Sequence, residues 1–294
     1  MGRRLLLDTS SLMYRSFFAL PSSIRDTDGR PVNAVHGYLD MTARLVAGLD
    51  PGRVTHVFDH TIVPAERARA FPAYKAHRPP EPEGLPEQFD LLEEVLEAFG
   101  AERAEAPGWE ADDAIGTLSA APGSGDEVEI VTGDRDLLQL VRDAPPAVRV
   151  LFTVRGVSEI ARFDEAAVEA KYGIPASRYV DFATLRGDPS DGLPGVPGIG
   201  EKTARLLVCA YGSLEDLVAA AESLPKRAAT GLVASREYLA AMRLVVPVRR
   251  DVEVAIGRGE PDVDRLLALA GARRLKGPVK RLAKALGWAL PEGA

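Results

Sequence analysis

A single cysteine in 294 residues, Cys209, excludes an intramolecular disulfide framework and any zinc site built on thiolates. Its place in the apolar run ARLLVCAYG predicts a buried core thiol, not a nucleophile, and the scarcity of cysteine fits a reducing compartment. The four histidines, His36, His56, His60 and His77, lack a Cys or His partner at zinc spacing, which leaves them structural or solvated roles. No charged-then-apolar leader opens the chain, and no apolar run approaches the roughly 18 to 20 residues of a membrane span. The expectation is a soluble, cytoplasmic chain with no membrane partner. Aromatic residues are few, and Trp109 and Trp288 read as packing residues.

An overall basic balance is also missing, since the formal net charge is -7. The charge is segregated, however. Acids dominate from Glu81 to Asp113. Bases gather in Arg67, Arg69, Lys75 and Arg78, in Lys226, Arg227, Arg236, Arg243, Arg249 and Arg250, and in Arg273, Arg274, Lys276, Lys280, Arg281 and Lys284. Local basic surfaces, not the sum, decide phosphate binding, although any one cluster reads equally well as a solvated helix face.

What the chain has in quantity is carboxylate where predicted strands run out. Asp8 follows LLL, Asp59 follows VTHVF, and Asp134 and Asp136 follow VEIVTG; Glu110, Asp112, Asp113, Asp188 and Asp191 complete the series. Brought to one sheet edge, these acids repel strongly unless divalent cations sit among them. An all-oxygen cluster selects hard ions such as Mg²⁺ or Mn²⁺, and paired ions of that kind stabilise the attacking and leaving oxygens of a phosphodiester displacement.

The predicted elements alternate. A strand over 4–8 precedes a helix over 10–19, a helix over 35–49 and a strand over 54–58, which argues for a doubly wound, mostly parallel sheet with ligands outside the carboxyl ends of its strands. Residues 60–86 are polar, basic and proline-broken, and read as a mobile excursion over the site. Helices follow over 87–99 and 110–120, then a surface loop APGSGDE, a strand over 128–131, a helix opening over 137–141, a strand over 148–154, and helices over 164–172 and 176–185. The sheet domain is placed at 1–185, and 186–294 is read as a smaller helical DNA-binding region.

Four segments carry chemistry. GVPGIGEKTARLL has the form of a helix-hairpin-helix: Gly195, Gly198 and Gly200 allow close backbone approach to phosphate, and Lys202 and Thr203 add side-chain donors. GDRD sets Asp134 and Asp136 at alternate positions, as either a shared cation site or a turn with a helix cap. In GWEADDAIGTL, Glu110 and Asp113 share a helix face while Asp112 points elsewhere; helix-dipole preference explains one or two such acids but not three. In FPAYKAHRPP, helical spacing puts Lys75 and Arg78 on one face, able to polarise a scissile phosphate, with an aromatic beside them for an unpaired base; a solvated basic loop is the alternative.

Together with DTSSLMYRSFFALP and GDPSDGLPGVPGIGEKTA, these segments, in this order, resemble the 5′ nuclease family: the 5′-3′ exonuclease domain of bacterial DNA polymerase I and the related flap endonucleases. The resemblance covers most of the chain. It implies a PIN-like α/β fold with a helical arch near 60–86. It implies two divalent ions, held by Asp8, Asp59, Glu110, Asp112 and Asp113 on one side and by Asp134, Asp136, Asp188 and Asp191 on the other. Lys75 and Arg78 would orient the scissile phosphate, Tyr14 would stack near the displaced terminal nucleotide, and the hairpin would grip duplex with K⁺ at its loop. Pro189 and Gly192 stand where polymerase-type relatives carry Ser and Asn. The implied substrates are DNA with 5′ flaps, nicks or ends and RNA-DNA hybrids, handled by a monomer linked to polymerase and ligase in replication and repair, including primer removal, near the nucleoid. Two rivals differ in kind: a haloacid-dehalogenase-type phosphatase, which needs a second Asp where Ser10 stands, and a catalytically silent DNA-binding relative, against which the intact carboxylates argue.

Overall fold

The protein's structure, a computed structural model, describes residues 2–120, 127–155 and 159–291, so all but Glu127 of the expected APGSGDE loop lies outside it. Among the described residues seven strands form one sheet: β1 (Arg3–Asp8), β2 (Arg53–Phe58), β3 (Glu102–Glu105), β4 (Glu127–Thr132), β5 (Val148–Arg155), β6 (Glu159–Phe163) and β7 (Ala255–Gly257). Their order is β6-β5-β4-β1-β2-β3-β7. The five inner strands are parallel, as expected; β6 and β7, which no alternation in the sequence announces, add antiparallel edges. Among the described residues no helix is long and apolar enough to cross a membrane.

The helices of the first half are α1 (Thr9–Ala19), α2 (Asn33–Leu49), α3 (Ala65–Ala70), α4 (Pro86–Ala98) and α5 (Ala111–Ala120). They are followed by α6 (Glu165–Tyr172), α7 (Tyr179–Arg186), α8 (Glu201–Ala210), α9 (Leu214–Ala219), α10 (Lys226–Ala234), α11 (Arg236–Val245), α12 (Val263–Ala272) and α13 (Lys276–Ala285). Both faces of the sheet are covered, which is why β1 reads as an unbroken apolar run. Leu5 and Leu7 point into a core shared with α1, α2, α4, α12 and α13, whereas Leu6 points into the core under α5 to α11; all three leucines are fully buried.

Several expectations need correction. The helix expected to open at Leu137 is a single short 3-10 turn, Asp136–Leu140, because β5 begins only eight residues later. Residues 60–86 carry one six-residue helix, α3, and then turns in place of an arch of helices. Cys209 is exposed, its thiol donating to the Gly173 carbonyl at 3.2 Å, because it falls on the outer face of α8 while Ala204, Leu207 and Val208 pack inward. The region 186–294, expected as one helical unit, divides in space over its described residues, 186–291. The chain returns to the sheet at β7, which pairs with β3, and α12 and α13 then cover α4 and α2, with Arg281 gripping Asp40 at 2.7 and 3.0 Å. The apolar surfaces of α2 and α4 need that cover, and Leu266, Val279 and Leu282 supply it.

Candidate metal centre and nucleic-acid groove

β1 lies between β4 and β2 while the chain passes from β1 to β2 and only later to β4, so strand order reverses between β1 and β4. Such a switch point opens a crevice at the carboxyl ends of the strands. Asp8 ends β1 there and caps α1, its Oδ1 accepting from the Ser11 N–H at 3.2 Å and its Oδ2 from the Thr132 hydroxyl at 2.6 Å. Thr132 ends β4, and its hydroxyl also accepts from the Asp134 N–H at 2.8 Å, so one side chain ties the two strand ends together. Asp134 in turn accepts from the Asp136 N–H at 2.9 Å. Asp59, just past β2, accepts from the Ala111 N–H at 2.6 Å and so fixes the start of α5, which carries Asp112.

These acids disturb one another. Burial, reinforced by the charges of Asp59 and Asp134 and opposed by the Thr132 hydrogen bond, pushes the Asp8 carboxyl up to about 7. Burial, together with Asp134 and Asp8, holds Asp112 well above the carboxylate range; burial, with Asp134, Asp191 and Asp188, does the same to Asp136. Asp134 is also raised, first by burial. Groups that disfavour their own charge in this way fit a cluster designed around positive charge, and every donor is a hard oxygen. Among the described residues, no three His, Cys, Asp or Glu side chains are yet drawn together tightly enough to hold an ion. The fit to a divalent cation is therefore one of donor chemistry and mutual repulsion.

Glu110 and Asp113 do share a face, but that face turns to Arg67. The guanidinium, 2% exposed, pairs with Glu110 and donates to both oxygens of Asp113 at 2.7 and 2.8 Å. Asp113 also accepts from the Arg249 N–H at 2.9 Å, so its oxygens are committed away from the other acids, unlike the ligand role expected of it. Glu110 accepts from the Tyr74 hydroxyl at 2.9 Å and pairs with Lys75. Tyr74 is 4% exposed, so it cannot offer the base-stacking face expected beside Lys75.

Lys75 lies in a turn and Arg78 just past it, not on a helix face; Lys75 has a left-handed backbone, φ 55°. Its N–H donates to the Asp191 carbonyl at 2.9 Å, and Arg78 donates to the Asp191 carboxylate at 2.8 Å. Burial alone would lower the Lys75 ammonium, but Glu110, Tyr74 and Asp191 hold it well above its ordinary value. Asp191 thus faces cations, while Asp188 caps its own turn through the Ser190 N–H at 2.9 Å. Both are buried beside the segment of Lys75 and Arg78, because Gly192 lies against Ala73 and His77.

Two residues of the groove lie on the helix expected over 10–19 but had no site role in the sequence. Arg15 reaches across from α1 and donates to the Gly133 carbonyl at 3.0 Å. Gly133 is what admits it: a Cβ there would stand 1.8 Å from the Arg15 Nε. Phe18, one turn further along α1, is 71% exposed. Tyr14 is half-buried, its hydroxyl donating to Glu81 at 3.4 Å. Asp8, Asp59, Glu110, Asp112 and Asp134 line one groove of about 1290 Å³ with Tyr14, Arg15, Phe18, Lys75 and Arg78.

The hairpin lies on α7 and α8. Gly195 and Gly198 have φ of 71° and 85°, conformations that favour glycine, and Gly200 caps α8. The Gly195 N–H donates to the Tyr238 hydroxyl at 3.2 Å and is spent inside the fold. Among the described residues the N–H groups of Gly198 and Gly200 have no partner, and exposed Lys202 has no ion pair.

Residues 3–173 match the family model for the 5′-3′ exonuclease N-terminal resolvase-like domain, and residues 174–264 that for the 5′-3′ exonuclease C-terminal SAM fold. A 5′-3′ exonuclease of Mycobacterium tuberculosis is 43% identical over 308 residues, with 96% of each chain covered. DNA polymerase I of the same species is 41% identical over 264 residues, spanning 89% of this chain but 28% of the polymerase. The fold is also that of the bacteriophage T5 flap endonuclease in its complex with DNA and metal ions: TM-score 0.66 at 20% identity, covering 97% of this chain and 99% of that one.

Proposed function

The chain belongs to the 5′-3′ exonuclease family, and on that premise we propose that it is a structure-specific 5′ nuclease, hydrolysing phosphodiesters in DNA with 5′ flaps, nicks or ends. One observation carries the reading: a mutually repelling set of aspartates at the β1/β4 switch point shares a groove with Arg15, Lys75 and Arg78. Asp8, Asp112, Asp134 and Asp136 would hold divalent cations, with Asp59, Glu110, Asp188 and Asp191 around them; Asp113 is the expected ligand that the geometry favours least. Mg²⁺ or Mn²⁺ held there would supply an activated water and stabilise the departing 3′-oxygen, leaving a 5′-phosphate.

The protein's own side chains do the rest. Arg15, Lys75 and Arg78 attract and orient the phosphate. Lys75, paired with Glu110 and near Asp191, exchanges carboxylate for phosphate as substrate enters. Gly198, Gly200, Lys202 and Thr203 bind duplex backbone without reading its sequence, and a K⁺ held at the same loop would add positive charge towards the phosphate. Because the inferred contacts are to phosphate, RNA 5′ ends in primer removal are substrates as well, and the monomer hands its product to a polymerase and a ligase.

The test is a 5′-labelled flap incubated with and without Mg²⁺. Metal-dependent release of the flap, lost in Asp134→Ala while flap binding persists, is the expected result. Flap binding with no metal-dependent cutting by the parent protein would favour the catalytically silent alternative.

A further inference from the structure

The last turn of α7 and the hairpin that follows it are held together at one point. The helix would continue through the Asp188 N–H, but that group donates instead to the Leu193 carbonyl at 2.9 Å, which leaves the Thr184 carbonyl without its helical donor. The Tyr238 hydroxyl of α11 takes that place, donating to Thr184 at 3.0 Å while it accepts from the Gly195 N–H at 3.2 Å. Burial pushes the phenol up to about 12, so it keeps the proton that this double role needs. The two backbones touch there: a Cβ on Gly187 would stand 2.6 Å from the Gly195 N, and the Val196 N–H donates to the Leu185 carbonyl at 2.9 Å. Between these glycines runs the loop of Asp188 and Asp191; beyond them come Gly198, Gly200 and Lys202.

The ring of the same side chain reaches a third segment. It meets Phe71 edge-on, with centroids 6.0 Å apart and planes at 76°. Phe71 caps the end of α3 and opens the turn whose Lys75 N–H donates to the Asp191 carbonyl and whose following Arg78 pairs with the Asp191 carboxylate. One half-buried tyrosine therefore touches the end of α7, the start of the hairpin and the root of the cationic turn. We infer that Tyr238 is a positioning residue that fixes the hairpin relative to Lys75, Arg78 and Asp191, and so sets which phosphodiester of a gripped duplex reaches the acids; this role rests on the 5′ nuclease reading. A duplex held at the hairpin acts as a ruler of about 3.4 Å per nucleotide, and play of that size between hairpin and acids changes the bond that is cut.

The experiment compares the parent protein with Tyr238→Phe, which keeps the ring and loses the hydroxyl, and with Phe71→Leu, which removes the ring contact. Products of a 5′-labelled flap cut with Mg²⁺ are resolved to single nucleotides. Each variant is expected to spread cutting over neighbouring phosphodiesters and to lower kcat by up to about 100-fold, the cost of misplacement by about 1 Å, with KM much less affected. Without metal, amide hydrogen exchange is followed with and without a saturating blunt duplex: binding should slow exchange across 71–78 in the parent and less so in either variant. An unchanged cut position and kcat in Tyr238→Phe, or activity that falls only with the folded fraction while the cut position holds, would overturn the positioning role. So would equal duplex protection of 71–78 in parent and variants. If the parent protein fails to cut with Mg²⁺, the nuclease reading falls, and the exchange comparison still decides whether Tyr238 couples hairpin to turn.

Discussion

Arg67 grips Asp113 through two hydrogen bonds of 2.7 and 2.8 Å, with the two side chains 3% and 0% exposed. This buried pair joins the segment after β2 to α5, and its guanidinium also donates to the Pro247 carbonyl at 3.1 Å, reaching the strap beyond α11. Removing Asp113 leaves the buried guanidinium with Glu110 but without two of its hydrogen bonds, and costs up to about 3 to 5 kcal/mol. Asp113→Ala should therefore lower the urea midpoint strongly while the protein that remains folded keeps its cutting rate within a few fold. A normal urea midpoint with cutting abolished would return Asp113 to the metal site.

Gly133 and Arg15 should behave as one unit. A methyl on Gly133 collides with the end of a flexible side chain, so Gly133→Ala is expected to displace Arg15 at little cost in stability. Removing one cation aimed at developing charge costs about 100-fold in kcat. Arg15→Ala and Gly133→Ala should each show a loss of that order, and the double variant should be no worse than Arg15→Ala alone. Additive losses in steady-state cleavage would show that Gly133 acts separately.

Divalent cation should stabilise the fold by relieving repulsion among Asp8, Asp112, Asp134 and Asp136. At a hundredfold excess over Kd, binding to the folded state alone is worth about 2.7 kcal/mol. Tm should therefore climb with MgCl₂ or MnCl₂, and EDTA should reverse the gain. Asp134→Asn should start nearer the cation-saturated Tm and respond weakly; an undiminished response would place the ion elsewhere.

His56 is 4% exposed and its Nδ1 lies 2.6 Å from the Tyr38 hydroxyl. Burial, aided by Arg103, depresses its pKa to about 3 from an ordinary 6.5. Between those values the unfolded chain binds the extra proton, so stability is complete above pH 6.5 and falls as pH drops towards 3. The slope is roughly 1.4 kcal/mol per pH unit, or about 2 kcal/mol between pH 7 and pH 5. Urea midpoints should show this loss in the parent protein and a shallower one in His56→Gln. Parallel curves would mean that other groups govern the acid limb.

The sequence by itself determined the centre of this protein. Three successive leucines before Asp8 read as a strand buried on both faces, which brings its acid out at the carboxyl end. The same logic reached Asp59 and Asp134, and the glycines at 195 and 198 announced left-handed backbone that most other residues adopt only at a cost. Tertiary structure alone decided which acids face one another. Asp112 and Asp113 are neighbours in a first turn that looks uniform in sequence, yet a rotation of about 100° sends one to Asp134 and Asp8 and the other to Arg67. Arg67 lay unremarked in a basic cluster because pairing depends on a partner 46 residues away. Exposure likewise separates Tyr14, half-buried with its hydroxyl on Glu81, from the largely exposed Phe18: periodicity tells which residues share a side of a helix, and only packing from distant segments tells how far each is covered.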